Sequence, residues 1–182
     1  MTTISRADGL ALVTLARTAI AAAVRGDHSP VPPAGGVYAR HAGAFVSLHH
    51  HGDLRGCIGQ PEPRGSLGEV IVHCARAAAL EDPRFTPVQP DELPALDIEV
   101  SVLTPPAPVA DPSTIVVGRH GLIVSRDGRR GLLLPQVAVE WGWTREEFLE
   151  HTCRKAGLPL DAWRRGAEVF AFEAEIFSEA DV

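Results

Sequence analysis

Residues 44–59 read Ala44-Phe45-Val46-Ser47-Leu48-His49-His50-His51-Gly52-Asp53-Leu54-Arg55-Gly56-Cys57-Ile58-Gly59, and they hold the best hairpin candidate in the chain. Ala44 to His50 alternates well enough for a strand, Gly52-Asp53 supplies turn chemistry, and Leu54 to Ile58 reads as the return strand. A two-residue turn at Gly52-Asp53 sets His50 opposite Arg55 and Leu48 opposite Cys57. Side chains alternate faces along a strand, so Arg55 and Cys57 are expected on one side and Leu54 and Ile58 on the other.

The same residues carry the candidate chemistry. A guanidinium within a few ångströms favours a thiolate, so Arg55 beside Cys57 suits a reactive cysteine. His50, diagonal to Cys57 in this register, would complete a Cys/His pair for nucleophilic or acid-base work. Gly56 and Gly59 flank the thiol and let a ligand or another backbone come close. The alternative is a tight turn in which Cys57 is a small buried hydrophobe. The run His49-His50-His51 reads as a polar strand end; a metal site, with Cys57 as a further ligand, is the alternative, but adjacent strand residues face opposite sides, so at most His49 and His51 could share one ion.

Working outward, Ser5 caps a helix over residues 5–25 with Leu12, Leu15, Ala16 and Ala19 at helical spacing, and Gly26 ends it. Ser66 and Glu69 form a capping box for a helix to about Leu80, with Leu67, Val70, Ile71, Cys74 and Ala78 on one face. Asp82-Pro83-Arg84-Phe85 follows, where Arg84 either binds an anion or pairs with Asp82. Leu96 to Leu103 alternates as a strand, and Pro105, Pro106, Pro108 and Pro112 make a stiff connection. Asp127-Gly128 joins a second hairpin, Thr144 and Glu147 cap a helix reaching Gly157, and Val169 to Phe177 reads as one final strand of the main sheet. Cys74 and Cys153 fall on apolar helix faces and read as inert packing, and Trp141, Trp143 and Trp163 as packing rather than a stacking platform.

Strands interspersed with helices, with hairpins instead of crossover units, predict an α+β protein: a mainly antiparallel sheet packed with helices, and a smaller subdomain. The boundaries read 1–110 plus 163–182 for the main subdomain and 111–162 for the smaller. Apolar residues make up 45% and charged residues 22% of 182, ordinary globular usage. Seventeen basic against 23 acidic residues, without a basic block, argue against nucleic acid as a partner. The apolar N-terminal stretch is broken by Arg17 and Arg25, so no membrane span is expected. Three widely spaced cysteines fit neither a disulfide framework nor paired zinc knuckles and point to a cytoplasmic protein. No cofactor-binding or metal-binding motif is present.

Several segments together resemble the AMMECR family, also called AmmeMemoRadiSam system protein A in prokaryotes. They are Leu54-Arg55-Gly56-Cys57-Ile58-Gly59, Ala77-Ala78, Asp82-Pro83-Arg84-Phe85, Glu99 to Leu103, Gly121-Leu122, Leu133 to Val137 and Lys155 to Leu158. The resemblance spans about residues 8–178. It implies two unequal subdomains with a cleft between them, a cysteine motif of enzymatic or regulatory role, and a shared pathway or complex with a Memo-like protein and a radical S-adenosylmethionine protein. The histidine run lies outside the family pattern.

Two functions are therefore expected in competition. One is an enzyme using Cys57, tuned by Arg55 and His50, with Gly56, Gly59 and Arg84 holding a small anionic substrate. The other is a binding or adaptor module that presents the Arg55-Gly56-Cys57 segment to a partner.

Overall fold

The structure, a computed structural model, describes residues 3–179. In chain order its helices and strands are α1 (Arg6–Arg25), β1 (Ala44–His50), β2 (Asp53–Gln60), α2 (Leu67–Leu80), β3 (Leu96–Leu103), β4 (Ala107–Pro108), β5 (Gly121–Arg126), β6 (Arg129–Leu133), α3 (Pro135–Glu140), α4 (Arg145–Lys155), β7 (Glu168–Phe172) and β8 (Ala174–Ser178). They form two four-stranded sheets with strand orders β2-β1-β3-β8 and β4-β7-β5-β6, and every pairing with a described register is antiparallel. The protein is α+β, as the hairpins and interspersed helices predict.

The chain divides into one unit that runs to Leu103 and resumes at Glu175, and a second unit, Thr104–Ala174. The expected boundaries, 111–162 for the smaller part, fall inside that division because both flanking segments join the second sheet. Ala107-Pro108 pairs with Phe170 and Ala171, and β7 pairs with β5. The expected single strand Val169 to Phe177 is two strands. β7 stays in the second sheet, Glu173 interrupts, and β8 joins β3 in the first.

In the first unit, α1 and α2 pack on each other and on the sheet. Leu12, Ile20, Ile71 and Cys74 meet Val46, Leu48, Ile98 and Val100 in one buried core. Both helices begin where the local chemistry dictates. The Ser5 hydroxyl accepts from the Asp8 N–H, and Ser66 and Glu69 exchange both bonds of a capping box, a motif worth about 1 kcal/mol. Arg17 crosses from α1 to pair with Glu179 and to donate to the Leu93 and Leu96 carbonyls, fastening the helix where β3 begins and β8 has just ended. By length and composition α1 could cross a membrane, with a mean hydropathy of 1.5, but here it is a core helix with Leu12, Leu15, Ala16 and Ile20 buried.

In the second unit, α4 lays Phe148, Leu149 and Cys153 against Leu122, Val124 and Ile115. Thr144 and Glu147 form its capping box, as read from sequence. The short α3 carries no sequence signal beyond Pro135 at its first turn. Trp141, expected as packing, is 71% exposed: it closes α3 where Gly142 turns the chain outward at φ 64.

Candidate functional site

The turn of the first hairpin is His51-Gly52, one residue earlier than expected, with φ of 53 and 88. Both central residues are left-handed, the type I′ geometry that matches strand twist. Pairing starts at His50 with Asp53 and His49 with Leu54, then jumps to Leu48 with Gly56, so Arg55 is the extra residue of a β-bulge. From there Ser47 stands opposite Cys57, Val46 opposite Ile58 and Phe45 opposite Gly59.

This register decides which way the cysteine points. Ala44, Val46 and Leu48 are fully buried in the core under α2, so Phe45, Ser47 and His49 take the opposite face of the sheet, and Cys57 goes with Ser47. The Ser47 hydroxyl lies 3.2 Å from Cys57 Sγ, and on its other side Ser47 pairs with Glu99 of β3. Cys57, Ser47 and Glu99 thus form one row across three strands. Neither Ser47 nor Glu99 was picked out for chemistry from the sequence: no local pattern distinguishes them, and the pairing register alone assembles the row.

Arg55 does not join it. Its guanidinium makes a two-pronged contact with Glu92, at 2.8 and 3.1 Å, and donates to the Thr86 carbonyl at 2.8 Å. The expectation that Arg55 shares a face with the thiol and activates it is corrected by the bulge and by Glu92, whose carboxylate it holds below the usual range. His50 is also apart from Cys57. It pairs with Asp53 at the hairpin end, and its ring lies 4.2 Å from that of His51. The expected diagonal required the turn at Gly52-Asp53.

Arg84 takes the structural alternative. Asp82, 4% exposed, accepts from Arg84 Nε at 3.0 Å and Nη2 at 2.8 Å and from the Cys57 N–H at 2.9 Å, while Arg84 Nη2 reaches the Cys57 carbonyl at 3.3 Å. β2 is an edge strand, and this ion pair satisfies both backbone groups of Cys57 in place of a neighbouring strand. Arg84 holds the Asp82 carboxyl far below its ordinary range.

The two glycines are also occupied by the fold. Gly56 faces α2, where an added Cβ would collide with the Ala78 carbonyl oxygen, and a Cβ at Gly59 would collide with the Phe45 ring. Of the two alternatives expected, Gly56 takes the second, admitting the backbone of a helix, while Gly59 makes room for an aromatic ring; at neither is the space left for a ligand.

Burial pushes the Cys57 thiol above its ordinary value. The Ser47 hydrogen bond and the Arg84 charge oppose that shift, and Asp82 and Glu99 reinforce it. The cation that acts on Cys57 is therefore Arg84. Cys74 and Cys153 are fully buried, as expected, and burial pushes Cys74 up to about 12. Among the described residues, no group of three or more His, Cys, Asp or Glu is placed to hold a metal ion. A surface groove of about 350 Å³ lies elsewhere on the first unit, lined by Gln60, Arg64, Gly65, Glu69, Val70 and His73.

The AMMECR1 family model matches residues 13–177. A protein of Methanothermobacter thermautotrophicus is 50% identical, covering 97% of this chain and 96% of its own length. One from Thermococcus gammatolerans is 49% identical, covering 92% and 88%. The crystal structure of the uncharacterized protein PH0010 from Pyrococcus horikoshii is similar, with a TM-score of 0.83 and 45% identity, over 94% of this chain and 91% of that one.

Proposed function

The chain belongs to the AMMECR1 family, and from that premise we propose that it is a cytoplasmic, non-enzymatic binding module whose recognition surface is the row Cys57, Ser47 and Glu99. One observation supports the reading above others: the charges that the motif brings near Cys57 are used by the fold itself. Arg55 is held by Glu92 and Arg84 by Asp82, and the thiol is pushed toward its neutral form. A nucleophilic cysteine needs a free cation or a base to make its thiolate, and His50 and His51 sit at the hairpin end. A neutral thiol, a hydroxyl and a carboxylate in one row offer hydrogen-bond donors and acceptors to a partner's polar groups instead. A Memo-like protein and a radical S-adenosylmethionine protein, implied by the family resemblance, are the partners we propose.

A second reading, a cysteine-dependent enzyme, is favoured by the place of Glu99. Its half-buried carboxylate is in line with Ser47 and Cys57 and could take a proton during reaction. A small anionic substrate would then meet Arg84, whose side chain is 55% exposed despite its pairing.

The test has two arms. Purified wild type, Cys57→Ala and Glu99→Gln are assayed for capture of the two proposed partners, and the wild type and Cys57→Ala are incubated in parallel with a metabolite extract. The binding reading expects capture by wild type that weakens in both variants, and no Cys57-dependent turnover. Substrate consumed by the wild type and spared by Cys57→Ala would overturn it in favour of the enzyme.

A further inference from the structure

The second unit carries an aromatic group that packing explains only in part: Trp143 lies against the buried core, as expected, but Trp141 does not. Trp143 stacks on His151 with ring centroids 3.8 Å apart and planes 7° apart, and Trp141 lies nearly parallel to Trp143 at 6.2 Å and 16°. The group is held in place. The Trp141 N–H donates to the Val137 carbonyl, Trp143 N–H to the Ala138 carbonyl, and Thr144 then caps α4, from which His151 projects. Yet Trp141 is 71% exposed and Val139, two residues before it, 59% exposed. A large indole on a main chain fixed in this way, stacked beside Trp143 and left in water, is the kind of anchor that interfaces bury.

The surrounding charge selects the occupant. Glu140 immediately precedes Trp141, and α4 carries Glu147 one turn before His151; Glu147 interacts electrostatically with that imidazole and is kept ionised by its bonds to Thr144. Of the cations on α4, Arg145 is turned away, donating to the Ile115 carbonyl and facing Asp111, and Arg154 and Lys155 lie in the last turn, beyond His151. Flat aromatic rings among carboxylates repel phosphates and nucleobases joined to them, and they attract a cation that is itself flat. A guanidinium stacks on an indole while its N–H groups reach carboxylates, whereas an ammonium is a compact, strongly hydrated charge.

We propose that Trp141, Trp143 and His151, with Glu140, form a docking site for an arginine side chain on an exposed segment of a partner protein. The site lies in the second unit and does not depend on the role given to the Cys57 row. The guanidinium stacks on the exposed Trp141 ring, and the arginine's methylene stem covers Val139.

The experiment titrates the whole ¹⁵N-labelled chain with a capped Gly-Arg-Gly-Arg-Gly peptide and follows amide and indole resonances. Saturable shifts are expected at Trp141, Gly142 and Trp143. Affinity should fall about threefold or more when lysines replace the peptide's arginines, and similarly in Trp141→Ala and in Glu140→Gln. Trp141→Ala removes a largely exposed ring, and an unchanged α4 amide pattern verifies its fold. Should that pattern change, Glu140→Gln and the lysine peptide carry the test. Absence of saturable shifts at about 10 mM peptide, equal affinity for the lysine peptide, or shifts that survive in a folded Trp141→Ala would each overturn the proposal.

Discussion

Replacing Gly56 by alanine tests whether the centre of the cysteine motif is architecture. Gly56 lies in extended backbone, so alanine fits its conformation and, by restricting the unfolded chain, would contribute about 0.4–1 kcal/mol of stability if space were open. Space is not open. The new Cβ would come far inside 3.0 Å of the Ala78 carbonyl oxygen, a distance real Cβ atoms essentially never go below, with Leu48 Cδ1 at 3.7 Å on another side. The obstacle is helix backbone in the last turn of α2, which cannot rotate away as a side chain can, so β2 and α2 must separate. Overpacking of this kind costs about 1–3 kcal/mol, and a rigid partner puts it at the upper end, leaving a net loss of about 2 kcal/mol. With a urea dependence on the order of 1–3 kcal/mol/M, the midpoint should drop by about 1 M. Far-UV circular dichroism follows the unfolding, and hydrogen exchange of peptides covering residues 53–60 and 67–80 localises the loss. Trp141, Trp143 and Trp163 all lie within Thr104–Ala174, so indole fluorescence reports separately on the second unit. A midpoint within about 0.3 M of wild type, with unchanged exchange in α2, would refute the close-approach argument and return Gly56 to the list of ligand-contacting residues.

Three other outcomes follow from the same geometry. Asp82→Asn should cost about 1–3 kcal/mol at neutral pH by weakening the clamp on the β2 edge. Because the folded carboxyl titrates below its ordinary value of 3.8, its contribution is present above that value and lost as pH falls through the lower folded one. The gap in urea midpoint between wild type and variant should therefore close in strong acid, and a gap that persists there would contradict the assignment. Arg55→Met should leave the pH profile of Cys57 alkylation unmoved, since Glu92 already compensates that charge, whereas Ser47→Ala should shift it upward by removing the hydrogen bond that opposes burial; an upward shift in Arg55→Met would show that the charge reaches the thiol. In the folded wild type, mass mapping should find Cys57 alkylated before Cys74 and Cys153, both fully buried, and equal labelling of Cys153 would count against the structure around α4.

Sequence alone determined what short-range chemistry controls. Ser5 and Gly26 bound α1, the Ser66/Glu69 and Thr144/Glu147 boxes open α2 and α4, and the alternation from Leu96 to Val100 marks β3. In each case the partners lie within a few residues, so the pattern and the interaction are the same thing. The Asp82/Arg84 pair was legible as one of two alternatives for the same reason. Tertiary structure decided the rest. A turn at His51-Gly52 and a bulge at Arg55 change every cross-strand neighbour in the hairpin, and which register wins depends on how Leu48, Gly56 and Ala78 fit together across the sheet and α2. Glu92 reaches Arg55 across 37 residues and Asp82 reaches the Cys57 N–H across 25, contacts that exist only once the loop after α2 lies along the β2 edge. The break between β7 and β8 is invisible to alternation because both halves are β-forming, and only the pairing of β7 with β5 and of β8 with β3 separates them.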